Sequence, residues 1–311
     1  MKRYIEEVAL SGVKNEPLYL TPEKGLEITK AYLLWLTEKT GKGAAALTVA
    51  VGQDPRLSGR LLKVACFNAL VPYGVKCFDC DLSATPAMEA LVTGKLKAAP
   101  YQLQCDGAIM ITSSRGEPHI NGFKFFDAEG LLQQEDYEKI LTYSESKEES
   151  ERLGEQLFLD NFTMNYGKKF FVTEELDLNE IYGAFLADSI KTRINRADAF
   201  DKPLTGMKVA VDASNGTGGF IATKVLAKLG ADISNSQYLE PDGNFFNHPP
   251  SPEDTGAKQS LSLKTITKGC DLGLLFDADL SSFSAFDGRG FQIQPENGET
   301  DFTTWLLSYL K

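Results

Sequence analysis

The sequence predicts an α/β protein built as two consecutive domains, and three observations carry that reading. Short apolar runs rich in β-branched residues end in Gly- or Asp-bearing turns and are followed by stretches of helical spacing. The strand-then-helix alternation begins near Leu47 and begins again near Met207. Between them lies Ser144-Glu145-Ser146-Lys147-Glu148-Glu149-Ser150-Glu151, a stretch that cannot bury a face. With 311 residues, 42% of them hydrophobic and 24% charged, the chain holds enough apolar material for two cores.

In chain order, Leu47 to Val51 reads as a buried strand that meets the turn Gly52-Gln53-Asp54-Pro55. Ser58 is placed to cap a helix through Ala69, which Gly74 stops. Val75 to Phe78 and Ala108 to Ile111 are further short strands, separated by a helical segment around Pro86 to Thr93, as in a parallel sheet covered on both faces. Leu141 to Gly154 reads as a surface connector, either loop or solvated helix. Leu178 to Ile194 shows helical spacing in Ile181, Phe185, Ala187 and Ile190. Met207 to Val211 then starts the second α/β unit, Gly218 to Leu229 is its helix, and Asp271 to Phe276 its next strand. Phe302 to Leu310 is a closing apolar amphipathic segment.

Composition excludes several classes. A net charge of -11 without clusters of Lys and Arg argues against a nucleic-acid surface. No apolar run approaches the length of a membrane span, and Met1 to Gly12 lacks the apolar core of a secretory signal. Cys66, Cys77, Cys80, Cys105 and Cys270 are odd in number and sit in apolar segments, which reads as reduced core thiols in an intracellular protein. Cys77 and Cys80 form a C-x-x-C, but no second pair or His cluster completes a zinc site.

Two segments carry chemistry-bearing residues at the ends of predicted strands. Thr112-Ser113-Ser114-Arg115-Gly116-Glu117-Pro118 offers hydroxyl nucleophiles in a turn, with the plain loop serine as its alternative. Asp271-Leu272-Gly273-Leu274-Leu275-Phe276-Asp277-Ala278-Asp279-Leu280-Ser281-Ser282 delivers alternating carboxylates after a buried strand, a pattern open between a divalent-cation loop and solvated carboxylates.

Asp106 to Ser114, running on to Asn121-Gly122-Phe123-Lys124, resembles the phosphoserine loop of the α-D-phosphohexomutases, the phosphoglucomutase and phosphomannomutase family. The family pattern Thr-Ala-Ser-His-Asn-Pro, followed by Asn-Gly and Lys, aligns without a gap. The resemblance implies that Ser114 is the phosphorylated serine, with Ser113 the next candidate. It implies that Lys124 contacts the reacting sugar hydroxyl and assists proton transfer. Arg56, in the similar scaffold motif Gly52 to Gly59, is a further catalytic candidate. Arg115 stands in place of the family's histidine, and Gly116 and Glu117 in place of its Asn-Pro. Asp277 and Asp279 match a metal loop Asp-Gly-Asp-Ala-Asp-Arg, in which Ser281 replaces the third carboxylate and Ser282 the arginine. This implies a weakened Mg²⁺ site formed by Ser114, Asp277, Asp279 and Ser281. Pro241 to Glu253 and Val211 to Gly219 resemble two further family motifs, with His248 read as a structural hydrogen-bonder and His119 as an exposed loop residue. Near Val8-Ala9, Tyr4-Ile5-Glu6-Glu7 stands where the family has Asp-Ile-Arg-Gly, leaving Arg3 as a shifted substitute.

The resemblance implies two phosphohexomutase-type α/β domains with mixed sheets flanked by helices. The expected division is a phosphoserine-loop domain at 1–145, a connector at 146–175, a metal-loop domain at 176–298 and a C-terminal helix at 299–311. The family's third and fourth domains are expected to be absent. The expected function is a phosphoglucomutase-like protein that has lost mutase activity and serves as a binding, regulatory or assembly subunit. The alternative is an active phosphohexomutase, working through phosphoserine and Mg²⁺, whose remaining domains lie on another chain or were removed. Hexose phosphate is the implied ligand. A protein partner or second copy is expected on an exposed C-terminal face containing Phe302, Trp305, Leu306, Tyr309 and Leu310. The Thr-Ser-Ser form of the loop, with Asn-Gly-Phe-Lys-Phe-Phe after it, resembles the branch found in photosynthetic organisms, which implies a plastid; with the reduced thiols, the expected location is intracellular and soluble, in cytoplasm or plastid stroma.

Overall fold

The computed structural model describes residues 5–6, 20–98, 100–145, 173–294 and 302–310. Residues 146–172 of the connector expected at 146–175, and Arg3, Tyr4 and Glu7 to Ala9, lie outside the described residues, while the last three residues of that connector form a strand of the first sheet.

The first domain opens with β1 (Ile5–Glu6) and α1 (Pro22–Thr40). Thr21 caps α1 by accepting from the Lys24 N–H at 3.2 Å, and Gly41 ends it at φ 67°. There follow β2 (Thr48–Gln53), α2 (Gly59–Leu70), β3 (Lys76–Leu82), α3 (Thr85–Val92), β4 (Gly107–Ile111), β5 (Gly122–Asp127), β6 (Gly130–Leu131), α4 (Gln134–Glu145) and β7 (Thr173–Glu175). The sheet order is β1-β5-β4-β2-β3-β7, with β6 paired to β5. Strands β4, β2, β3 and β7 are parallel, while β5 runs antiparallel to β4 and β1 antiparallel to β5. From β2 the chain steps out to β3 and then returns past β2 to β4. The switch point therefore falls between the carboxyl ends of β2 and β4, where α/β sheets characteristically form a crevice.

Both faces of this sheet are covered, which is why its strands read as unbroken apolar runs. On one side Ile28, Leu33, Leu62, Cys66 and Ile140 of α1, α2 and α4 pack with Val49, Val51, Ile109 and Ile111. On the other side Met88 and Leu91 of α3 pack with Ala50, Ala108 and Met110, and with Leu186 and Ile190 of α5 (Leu178–Ile194). Each Val, Leu, Ile or Met among them contributes about 1.5–3 kcal/mol when fully buried.

The second domain is a smaller sheet of order β11-β10-β9-β8, with β8 at Val209–Asp212, β9 at Leu272–Phe276, β10 at Phe283–Asp287 and β11 at Gln292–Ile293. Strands β8 and β9 are parallel and β10 is antiparallel to β9, so this sheet is mixed like the first. Helix α6 (Thr255–Thr267) begins at Asp254, whose carboxylate accepts from Ala257 N–H at 2.8 Å.

Three expectations change in detail. The segment after Gly218 is helical, but Ile221–Leu226 takes the wider π form. Ser58 stands at the start of α2 without a side-chain capping bond; its hydroxyl instead accepts from Asn121 Nδ2 at 3.0 Å, tying α2 to the turn before β5. The C-terminal segment forms α7 (Phe302–Tyr309), yet its apolar face is not open. Phe302, Trp305 and Leu306 are 3%, 4% and 2% exposed, because Phe302 sets its ring edge-on to Phe276 and Phe283 while Trp305 packs on Phe283. Of its apolar side chains, Tyr309 is exposed and Leu307 and Leu310 are partly so. The five cysteines are free and buried, and burial pushes the Cys66 thiol up to about 12. Among the described residues no helix is long and apolar enough to cross a membrane.

Candidate active site

Strand β4 ends at Ile111 and hands Thr112, Ser113 and Ser114 to the crevice. The loop after β2 is stitched to it, since Asp54 N–H donates to Ile111 C=O at 2.9 Å. Thr112 hydroxyl donates to Asp54 Oδ2 at 2.7 Å and accepts from Ser114 N–H at 2.8 Å. Ser114 takes φ 51°, a left-handed conformation that a non-glycine residue keeps only when its surroundings fix it. The turn leaves Ser114 5% exposed.

Three other segments converge on this serine. Lys124 lies opposite Met110 in the β4–β5 pairing and is 4% exposed. Its Nζ is 2.6 Å from Asp279 Oδ2 and 3.4 Å from Thr85 Oγ1. Thr85, at the start of α3, donates its hydroxyl to the same carboxylate oxygen and its N–H to Asp279 C=O at 2.8 Å. Ser114 Oγ lies 3.3 Å from Asp279 Oδ2 and 3.3 Å from Ser281 Oγ. The serine hydroxyl, the ammonium and the carboxylates thus come from β4, β5 and the loop after β9, which belongs to the other domain.

The Asp277–Ser282 loop is held by its own residues and by the Gly-rich turn after β8. Asp277 Oδ1 accepts from Ser281 N–H at 2.8 Å, and its Oδ2 accepts from the hydroxyls of Ser281, at 2.9 Å, and Ser282. Thr217 donates both N–H and hydroxyl to Ala278 C=O, at 2.8 Å and 3.2 Å. Gly216 must be glycine because a Cβ there would meet Ala278 O at 2.6 Å. Through Thr217 this Gly-rich turn therefore braces the carboxylate loop, while the N–H groups of Ser214, Asn215 and Gly216 are taken by Asp212, Tyr238 and Ala213.

Asp277 and Asp279 are wholly buried and pulled in opposite directions. Burial raises the Asp277 carboxyl and the charge of Asp279 raises it further, against the weaker pull of Lys124 and the two serine hydroxyls. Burial also pushes Asp279 up, but the ammonium of Lys124 and the donors Lys124, Thr85 and Ser281 together hold it below the usual carboxylate range. Of the pair, Asp279 gives up its proton more readily and Asp277 is the one closer to protonation.

Ser114, Lys124, Asp277, Asp279 and Ser281 come together in one cluster. Ser113 does not join it; it sits beneath Gly116, where an added Cβ would be 2.2 Å from its Oγ. Arg56 is buried in the same crevice but turns its guanidinium to Asp54 and to loop carbonyls, away from the Ser114 hydroxyl. Arg115 and Glu117 are exposed. His248 bonds to Asp212 at 3.1 Å and to Pro249 C=O at 2.8 Å, and His119 is exposed. Thr85 escaped the sequence reading because Thr-Pro is ordinary chemistry at a helix start. Its one clue was position, at the carboxyl end of a parallel strand.

The donor set fits a hard divalent cation. All the donors are oxygens, from Asp277, Asp279, Ser281 and Ser114, and Asp279 Oδ1 is buried with no hydrogen-bond partner. Two carboxylates make a lean site, and among the described residues no trio of His, Cys, Asp or Glu gathers around it. A cleft of about 390 Å³ opens beside the serine loop, lined by Arg115, Glu117, Phe245, Phe246 and His248 among others. A larger cavity of about 840 Å³ lies between α2 and the ends of β3 and β7, away from Ser114, where Lys63 is paired with Asp79 and Asp81.

Comparison with known proteins gives a consistent result. Residues 8–151 match the family described as phosphoglucomutase/phosphomannomutase, alpha/beta/alpha domain I, and residues 186–290 match its domain II. A phosphoglucosamine mutase of Clostridium acetobutylicum is 30% identical over 299 residues, covering 93% of this chain and 56% of that protein. A phosphomannomutase/phosphoglucomutase of Pseudomonas aeruginosa is 29% identical over 275 residues, covering 88% and 51%. In three dimensions, a phosphoglucomutase/phosphomannomutase family protein of Burkholderia thailandensis superposes with a TM-score of 0.66 at 22% identity, over 94% of this chain and 55% of the other. The chain spans about half the length of the curated relatives it matches.

Proposed function

Because the chain belongs to the phosphoglucomutase/phosphomannomutase family, we propose that it carries the phosphoserine half of a hexose-phosphate mutase site, with Ser114 as the phosphoryl carrier. The observation that supports this reading is that Asp279 and Ser281 of the second domain lie 3.3 Å from Ser114 Oγ, while Lys124 of the first is bonded to the same Asp279 oxygen. The adjoining cleft falls within the size range of small-ligand sites.

Phosphoryl transfer proceeds mainly through positioning and charge, since its transition state is loose. Asp279 orients the Ser114 hydroxyl through Oδ2 and receives its proton as the Oγ–phosphorus bond forms. Lys124, on the same carboxylate oxygen, donates a proton to the departing sugar oxygen. The proton on Asp279 then returns to Lys124 across their 2.6 Å contact, leaving phosphoserine, a sugar hydroxyl and the starting ion pair. Held by Asp277, Asp279, Ser281 and Ser114, Mg²⁺ when bound supplies positive charge to the transferring group. The reverse sequence returns the phosphoryl group to a different hydroxyl.

The test is intact-mass and phosphopeptide analysis after incubation with glucose 1,6-bisphosphate and Mg²⁺. One phosphate on Ser114 that exchanges with the sugar, and none on a Ser114→Ala variant, is the expected result. An unmodified Ser114 sinks this reading.

A second reading, binding of hexose phosphate without turnover, is favoured by the serines at 281 and 282. Both donate to Asp277, and neither supplies the charge that a carboxylate and a guanidinium would bring to those positions. It predicts calorimetric binding of glucose 6-phosphate with no phosphate on Ser114.

A further inference from the structure

We infer that Arg56 is a positioning residue, a buried bolt that fixes the Ser114 backbone and couples it to the second domain. The proposal rests on the Ser114 reading for its kinetic part only.

Arg56 is 1% exposed and touches three separate segments. Its Nη1 pairs with Asp54 Oδ2, and its own N–H donates to Asp54 Oδ1 at 3.0 Å. Its Nη2 donates to Gly116 C=O at 2.6 Å and reaches Ser114 C=O at 3.4 Å. The Phe245 ring, from the second domain, lies 5.1 Å from its Cζ. Asp54 passes the constraint on, because it accepts from Thr112, whose hydroxyl accepts from Ser114 N–H. Ser114 is thus held on both sides of its Cα by groups that trace back to one guanidinium. That hold matters because Ser114 sits at φ 51°, where it would relax if released.

The second-domain contact is built as closely as the first. Gly243 lies so near the loop that a Cβ would fall 2.0 Å from Pro55 O. Phe245, also at positive φ, is 5% exposed beneath the guanidinium. A planar fork suits this place: it spans a carboxylate and two carbonyls and offers a flat face to the ring, which a lysine ammonium cannot do at once.

The experiment uses the full chain with Arg56→Lys and, as a second variant that keeps an apolar plug, Phe245→Leu. Amide hydrogen exchange is followed at Thr112–Gly116 and, as an internal control, at Ala108–Ile111. Phosphorylation of Ser114 by glucose 1,6-bisphosphate is measured alongside. Arg56→Lys is expected to speed exchange at Ser114–Gly116 by about tenfold with the strand amides unchanged. It is expected to lower the saturating rate constant of Ser114 phosphorylation by about 100-fold while the half-saturating sugar concentration, the KM of this step, moves by less than about threefold, since the reacting atom is displaced and no ligand contact is lost. Phe245→Leu should move both readouts in the same direction and by less. Unchanged exchange in both variants overturns the proposal, and so does a loss carried wholly by KM, which would make Arg56 a ligand contact. If the wild-type chain takes no phosphate, the Ser114 reading fails, and the exchange data still decide the role of Arg56.

Discussion

Lys124 and Asp279 are 4% and 0% exposed at their side chains and 2.6 Å apart, so each is the other's main compensation for leaving water. Lys124→Met would leave a buried carboxylate with only hydroxyl donors. It should cost about 3–5 kcal/mol in urea unfolding, and adding Asp279→Asn should recover part of that loss. A single variant as stable as wild type would show that the carboxylate is not charged in the fold. Ser281 gives a second test, because its hydroxyl already lies between Asp277 and Ser114. Ser281→Asp adds a third anionic oxygen, and Mn²⁺ affinity measured by calorimetry should rise by about tenfold. No gain would mean that the loop cannot close on an ion. Both residues were visible in the sequence as types at positions. Their partners were not, because Thr85 and Asp279 are far apart in the chain and meet only when the two domains close.

At the level of elements, apolar runs bounded by Gly and Asp turns located β2, β4, β8 and β9 to within about two residues, and helical spacing located α5. Helix α1 went unseen although Thr21-Pro22 marks its start, because its exposed lysines and glutamates hide the burial of Ile28, Leu33 and Leu36. Strand β10 went unseen because Ser284 interrupts its apolar pattern; its hydroxyl is buried by donating to Pro252 C=O. The 238–250 segment shows how an irregular element is held by one side chain. His248 Nδ1 bonds to Pro249 C=O and Nε2 to Asp212, whose Oδ2 also accepts from Gln237, itself bonded to Lys264. Burial works to lower the His248 pKa, but the bond and charge of Asp212, the Pro249 carbonyl and the charge of Asp254 raise it above 6.5. The folded state therefore gains stability from protonated His248 that is fully present below about pH 6.5 and is lost as pH rises through the higher folded value. Urea midpoints should fall between about pH 6 and about pH 9 in the wild type and fall less in His248→Gln. Equal slopes would mean that this histidine does not anchor the segment.

At the scale of the molecule, the two domains are fused rather than strung together. One apolar cluster runs from Met88 and Leu91 through Leu186 and Val225 to Leu272, Phe276 and Trp305. Trp305→Ala should cost about 3–5 kcal/mol and lower a single unfolding transition recorded by both circular dichroism and fluorescence. Two separated transitions would show that the shared core does not couple the domains. The same cluster explains why the apolar C-terminal segment is a core helix rather than an open docking face: sequence shows that a helix has an apolar side, while only the fold supplies what covers it. By itself the sequence determined the α/β class, the family and the residue types at the ends of β4 and β9, since these follow from local periodicity, turn chemistry and motif order. The tertiary structure decided which of those residues meet. It set Thr85 and Lys124 on Asp279, turned Arg56 to Asp54 and the loop carbonyls, and placed Thr217 of the Gly-rich turn beneath the carboxylate loop. Such outcomes depend on contacts between segments 58 to 194 residues apart, where distance and burial, not local pattern, fix the chemistry.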